Sequence, residues 1–222
     1  MKLLKRLFSR KPIVIINFKT YKQGKDVLKL ARAIEKSSKK FDYKIILGVQ
    51  PTDIYELKQK TNLEIFSEHA DYFMVGRNTG FILPEAIKID GAGGTFLNHS
   101  EHPIPFNILK QTIARCKNIH LKTAVFVKNL AEAKKVAKCK PTYLIYEPPE
   151  LVAGKISVSH AEPSKIKKFS EKVRMPFLVG AGIHSHEDIE TALQLGAAGV
   201  AVSSAIVKAR KPEKKLRDML GG

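Results

Sequence analysis

Apolar positions in this chain fall into short continuous runs, each followed by a stretch where apolar residues recur every three to four positions. Pro12-Ile-Val-Ile-Ile-Asn17 is the first run and has the pattern of a strand covered on both faces. Asp26 to Lys39 follows, with Val27, Leu30, Ala31 and Ile34 at helical spacing and Asp26 as the expected cap. The pair then recurs. Lys44 to Gly48 precedes a helix over Pro51 to Lys60, and Leu63 to Ser67 precedes a glycine-containing loop and a helix over Pro84 to Ile89. Gly94 to Leu97 precedes a helix from Pro105 to Cys116, Lys122 to Val127 one over Asn129 to Ala137, and Tyr143 to Tyr146 one over Pro163 to Val173. Pro176 to Gly180 with Ser185 to Leu195, and Gly199 to Val202 with Pro212 to Leu220, complete eight strand–helix units.

Strict alternation with apolar strands predicts a parallel sheet, because each parallel crossover needs a covering helix. Eight units in 222 residues predict a closed (β/α)8 barrel over residues 12–222, near the short end of the fold's range of about 200 to 400 residues. That length leaves no room for large insertions or a second domain. A doubly wound open sheet is the alternative, but it normally shows a glycine fingerprint after its first strand, and Asn17-Phe18-Lys19-Thr20 has none. Residues 1–11 set Leu3, Leu4, Leu7 and Phe8 among five cations and read as a basic N-terminal extension, either a short amphipathic turn or a frayed tail.

Composition narrows the function classes. No run approaches the ~18 apolar residues of a membrane span, and the basic start lacks a continuous apolar segment and a small-residue cleavage site, so a cytoplasmic protein is expected. Cys116 and Cys139 lack metal-type spacing, and neither a disulfide framework, a metal site nor a cofactor is expected. The net charge of +18 suits nucleic acid, an anionic membrane surface or phosphorylated metabolites. Most of the lysines fall on outer helix faces, such as Lys29, Lys36, Lys134 and Lys135, which is the pattern of a solvated basic surface.

In a barrel of this kind the loops after the strands form the active face, so polar residues at strand C-terminal ends are the candidates. They are Asn17 and Lys19 after the first strand, Asn98, His99 and Glu101 after the fourth, and Glu147 after the sixth. Glu147 is followed by Pro148-Pro149-Glu150-Leu151-Val152-Ala153-Gly154-Lys155, two residues of fixed φ and then a small-residue turn, the pattern of a base under a lid. Gly180-Ala181-Gly182 and Ser203-Ser204-Ala205 end the seventh and eighth strands, where small residues let backbone N–H groups approach an anion.

Asn17-Phe18-Lys19, Asn98-His99-Ser100-Glu101 and Tyr146-Glu147-Pro148-Pro149-Glu150-Leu151 together resemble three motifs of the triosephosphate isomerases, in their short archaeal form, colinearly from Pro12 to Leu220. The resemblance implies interconversion of dihydroxyacetone phosphate and glyceraldehyde 3-phosphate. It makes Glu147 the base and His99, as a neutral imidazole, the electrophile, a pairing that belongs to the family and is not read from these residues. It adds Lys19 as the charge beside the developing enediolate. Asn17 and Phe18 join the substrate-binding segment, the backbone of Val152, Gly182, Ser203 and Ser204 would take the phosphate, and Glu101 would support by pairing with Lys19 or capping the local helix. A homo-oligomer, tetramer or dimer, is implied, with residues 71–80 as the place for a subunit contact. No nucleic-acid partner is expected.

Three departures from the archaeal pattern stand out. Ala153-Gly154-Lys155 occupies the position of a Gly-Thr-Gly lid segment, and His184-Ser185-His186 replaces a small polar segment, putting two titratable rings near the anion. His102-Pro103-Ile104-Pro105 pushes back the helix that keeps the histidine neutral in the family. Two other functions remain open on these residues: a different phosphate-handling barrel enzyme, and a catalytically silent basic barrel that binds RNA or an anionic surface.

Overall fold

The apolar runs become the staves of one closed sheet. The computed structural model describes residues 11–148, 157 and 161–222. Strands β1 (Ile13–Asn17), β2 (Lys44–Val49), β3 (Glu64–Ser67), β4 (Gly94–Leu97), β5 (Lys122–Val127), β6 (Tyr143–Tyr146), β7 (Phe177–Val179) and β8 (Gly199–Val202) pair in chain order. All are parallel, and β8 returns to β1 with Ile13 opposite Gly199, so the sheet is a barrel and the open-sheet alternative is excluded.

Each strand is buried on both faces, and alternation sorts its side chains into two cores. Ile13, Ile15, Ile46, Phe66, Phe96, Phe126, Ile145, Leu178 and Ala201 fill the barrel interior. Val14, Ile16, Leu47, Ile65, Val125 and Leu144 face outward and meet the helices. Those helices are α1 (Lys25–Ser38), α2 (Ile54–Lys60), α3 (Pro84–Ile89), α4 (Phe106–Asn118), α5 (Leu130–Ala137), α6 (Pro163–Lys172), α7 (His186–Gln194), α8 (Ser204–Val207) and α9 (Pro212–Leu220). Val27, Leu30 and Ile34 of α1 and Ile166 and Phe169 of α6 supply their buried stripes. At Gly48 the lack of a side chain is required by packing: a Cβ there would lie 2.0 Å from the Phe96 ring.

The helices depart from the sequence reading in several places, and in the one expected over Pro51 to Lys60 the residues Pro51–Asp53 form a 3-10 turn before α2 starts at Ile54. Asp26 does not cap α1. The chain enters that helix through Gly24 at φ 52°, which puts Asp26 inside the first turn, where its charge still favours the helix dipole. The four-residue helix α8, directly after β8, reads in the sequence only as a small-residue turn, because four residues carry no helical period. Two helices carry side-chain caps: Asn129 accepts from Glu132 N–H at the start of α5, and Ser185 with Asp188 forms a capping box on α7. Residues 1–10 of the basic extension lie outside the described residues. No helix among those described is long and apolar enough to cross a membrane.

Candidate active site

The inward face of each strand, continued one step past its C-terminal end, assembles the site. Ile13 and Ile15 are followed inward by Asn17, Tyr143 and Ile145 by Glu147, and Ala201 by Ser203. These residues line one cleft at the barrel mouth together with Lys19, His99, Gly182 and Ser204. Tyr21, Phe126, Ile183 and His184 line it as well.

Asn17 holds the turn that presents Lys19. Its Oδ1 accepts the Lys19 N–H at 3.0 Å, and Lys19 sits in the left-handed region at φ 47°, a conformation that costs a side-chain-bearing residue energy and needs such support. From there the Lys19 ammonium donates to Glu101 Oε1 at 2.6 Å. Phe18, between them, points the other way. It is 1% exposed in the core beneath the helices and does not line the cleft.

The loop after β4 is built by Asn98, at φ 59°. Its side chain donates to Phe126 O and Glu132 Oε1 and accepts from Ile104 N–H, which stitches the loop to β5 and α5. His99 is buried with its ring edge-on to Phe126, the centroids 4.6 Å apart. The two prolines do delay the next helix to Phe106, seven residues past the ring, and leave the place beside it to the preceding turn. A turn amide takes that place: Glu101 N–H donates to His99 Nδ1 at 3.1 Å. A nitrogen that accepts is unprotonated, so the neutral ring carries its proton on Nε2. Burial, and then the Lys19 charge, outweigh Glu101 and bring the His99 pKa down to about 4.

Nε2 faces Glu147, with Oε2 3.5 Å away. Glu147 is anchored by its N–H to Val127 O, and the absence of a side chain at Gly180 leaves room for its carboxyl, since a Cβ there would lie 3.0 Å from Oε1. Oε2 is buried with no hydrogen-bond partner among the described residues. Burial drives the Glu147 pKa up to about 7, with Lys19 opposing and Glu101 reinforcing the shift. Such a carboxylate is destabilised as an anion and strengthened as a base.

Opposite this group, Ala181 and Gly182 adopt left-handed conformations at φ 73° and 67°, bending the backbone after β7 across the cleft. Ser203 Oγ is buried beside them with no hydrogen-bond partner among the described residues. Of the two rings that replace a small polar segment, His184 lines the cleft, whereas His186 turns away and its Nδ1 meets Met219 O at the end of α9. Val152 and the lid residues Ala153, Gly154 and Lys155 lie outside the described residues. Tyr21 and Phe126 are site residues that the sequence reading misses. Phe126 has a signal that could have found it, because it is the last inward position of β5.

A (β/α)8 barrel with a buried carboxyl, a neutral imidazole and an ammonium at one mouth has the groups that an enzyme of proton transfer next to a carbonyl needs. Comparison with known proteins makes the class particular. Residues 12–219 match the family model described as Triosephosphate isomerase, and the chain belongs to that family. It is 39% identical to a triosephosphate isomerase of Saccharolobus solfataricus over 94% of this chain and 95% of the relative. Similar matches are to the triosephosphate isomerases of Sulfolobus acidocaldarius, at 37% over 94% of each chain, and Methanocaldococcus jannaschii, at 36% over 94% of this chain and 98% of the relative.

Proposed function

We propose that this protein interconverts dihydroxyacetone phosphate and D-glyceraldehyde 3-phosphate, with Glu147, His99 and Lys19 as its catalytic groups. The observation that carries the reading is the buried Glu147 Oε2, without a hydrogen-bond partner among the described residues, facing the protonated nitrogen of a neutral His99. In the proposed step Glu147 takes a proton from the carbon next to the carbonyl. Negative charge grows on the carbonyl oxygen, where His99 Nε2–H donates and the Lys19 ammonium attracts. Return of the proton from Glu147 to the neighbouring carbon, with a proton shifting between the two oxygens, completes an isomerisation without net gain or loss of atoms or electrons. Asn17 holds Lys19 in place. The phosphate fits the turns after β7 and β8: Ser203 Oγ, without a hydrogen-bond partner among the described residues, can donate, and backbone amides of Gly182, Ser203 and Ser204 are the further donors, with Val152 as the lid's contribution. Phe18 serves by packing, as the buried residue between Asn17 and Lys19. A coupled assay on glyceraldehyde 3-phosphate tests the reading. Turnover is expected, and its absence with retained phosphate binding would favour a different phosphate-handling barrel.

Residues 12–222 are, in this proposal, the catalytic unit, working in the cytoplasm on triose phosphates of glycolysis and gluconeogenesis, with residues 1–11 as an appended basic segment. The high charge serves capture of the anionic substrate. Raising the ionic strength should lower kcat/KM, because the field of +18 charges is screened beyond ~10 Å at 0.1 M salt. A kcat/KM independent of salt, with encounter shown by viscosity to be limiting, would leave the charge without that role.

We also propose that the chain is a homo-oligomer, dimer or tetramer, through the arm that follows β3. Asp71 and Ile82 pin its neck by paired backbone and side-chain hydrogen bonds at 2.9 and 2.7 Å. Beyond the neck, Met74, Val75 and Phe81 are 65%, 75% and 53% exposed, an unusual display for large apolar residues. Val75→Asp should shift the protein to a smaller species in sedimentation velocity. An unchanged sedimentation coefficient places the contact elsewhere.

A further inference from the structure

Inward alternation also brings Glu68 to the barrel mouth, and the proposed proton transfer gives this carboxyl no task. Glu64, Phe66 and Glu68 share one face of β3 and its extension, and Phe66 lies in the barrel interior. Glu64 closes the opposite end, where Lys44 and Lys122 hold its carboxylate at 2.5 and 2.6 Å. Burial opposes its ionisation, yet the hydrogen bonds from Lys122 and Lys44 keep its pKa below the ordinary value. Glu68 has no such pair. Its N–H is fixed to Val49 O at 2.9 Å, and its Oε1 is buried with no hydrogen-bond partner among the described residues.

The position of Glu68 on the rim gives it meaning. Strand order puts β3 between β1 and β4, and the Lys19 ammonium, which starts from β1, reaches Glu101 beyond β4. That bridge therefore spans the part of the rim that Glu68 occupies. The charges acting on Glu68 are Asp53 from the turn after β2, Glu101 and Lys19, and the Lys19 backbone favours its ionised form as well. On its other side His69 is engaged with Asp71 at 3.2 Å and stacked on His102 at 4.4 Å.

We propose that Glu68 is a positioning residue for Lys19: it competes with Glu101 for the ammonium, and its protonation sets how much of that charge reaches an anion in the cleft. This rests on the reading of Lys19 as the substrate-facing cation. With Glu68 protonated, one ammonium faces one carboxylate. With Glu68 ionised it faces two, so the cluster changes from neutral to a net negative charge beside an anionic substrate. Burial, then Asp53 and Glu101, bring the Glu68 pKa up to about 7, which puts the change inside the working range. Rising pH should thus weaken substrate binding through Glu68.

The test is KM for glyceraldehyde 3-phosphate from pH 6 to 8.5 in the wild-type protein and in Glu68→Gln. Titrations common to both, of the substrate phosphate and Glu147, cancel in the ratio of the two values. The wild-type to variant ratio should rise from near one at pH 6 to threefold or more at pH 8.5, with the kcat ratio changing less, and Glu68→Asp should retain a rise. A ratio that stays constant with pH, even if displaced from one, would mean a packing role only and overturn the proposal. If the wild-type protein shows no turnover, the isomerase reading fails by itself, and the same ratio is read from the Kd of sulfate, whose charge is constant over this range. Carboxyl carbon resonances of the wild-type protein give a readout without any Glu68 variant. Glu68 must titrate near neutrality, and a Glu68 already ionised at pH 6 would equally overturn the proposal.

Discussion

Glu147→Gln is expected to lower kcat by roughly 10²–10⁴-fold while KM stays within about threefold. The amide keeps the size of the side chain and the space left by Gly180, so the cleft is preserved and only the proton acceptor is lost. An interaction used in the transition state alone appears in kcat, which is why the two constants should separate. The same change should stabilise the fold, with a definite pH dependence. Burial raises the Glu147 pKa from 4.5 to about 7, so between those values the native state holds a proton that the unfolded state has released. Native stability from this group is therefore complete below about pH 4.5 and is lost as pH rises through about 7. The amide of the variant does not ionise and has no such loss, so the melting temperature of Glu147→Gln should exceed that of the wild type by a margin that opens across this window. The gap is on the order of 3 kcal/mol, or several degrees for a chain of this size. Near-normal kcat in the variant would pass the role of base to another carboxyl, with Glu101 the first candidate.

His99→Gln should cost roughly 10²–10³-fold in kcat, the scale for losing one preorganised donor to a developing oxyanion. In the proposed reaction the imidazole works as a neutral donor, and the reason lies in the turn. Glu101 N–H occupies Nδ1, burial and Lys19 disfavour a second proton, and Nε2–H is left pointing into the cleft beside Glu147. Protonated His99 would belong only to acid solution, since its pKa is brought down to about 4. Nitrogen chemical shifts of the ring should accordingly report Nε2–H and no titration from pH 6 to 9. A ring that titrates near 6.5, or carries its proton on Nδ1, would contradict the assignment. Native stability from this ring is lost as pH falls from about 6.5 toward 4, opposite in sign to the effect of Glu147.

Much of this architecture is legible in the sequence because parallel strands buried on both faces leave uninterrupted apolar runs. Lys122–Val127, Tyr143–Tyr146 and Gly199–Val202 have in the fold the bounds that the runs predict. The residues that project from those runs are legible for the same reason: Asn17, Glu147 and Ser203 are the next inward positions, and two-residue alternation is readable without coordinates. What depends on contacts between distant loops is not readable in this way. Phe18 looks like part of the Asn17-Phe18-Lys19 site, yet its burial in the outer core follows from which side the chain turns after β1. The family pattern ties the neutral state of His99 to a helix that the prolines displace, whereas a single turn amide, which no residue pattern announces, takes over here. Glu68 sits in plain view after β3, but only the strand order and the reach of Lys19 to Glu101 relate it to that bridge.

Isomerisation of glyceraldehyde 3-phosphate in deuterated water, followed by proton NMR, examines the central claim most directly. A base that shares its proton with solvent must leave deuterium on the carbon that receives it. The account predicts rapid formation of dihydroxyacetone phosphate with part of the product deuterated at that carbon, and loss of both conversion and label in Glu147→Gln. Product formed with no solvent deuterium in it, as a direct hydride shift would give, or no product at all from the wild-type protein, would contradict it.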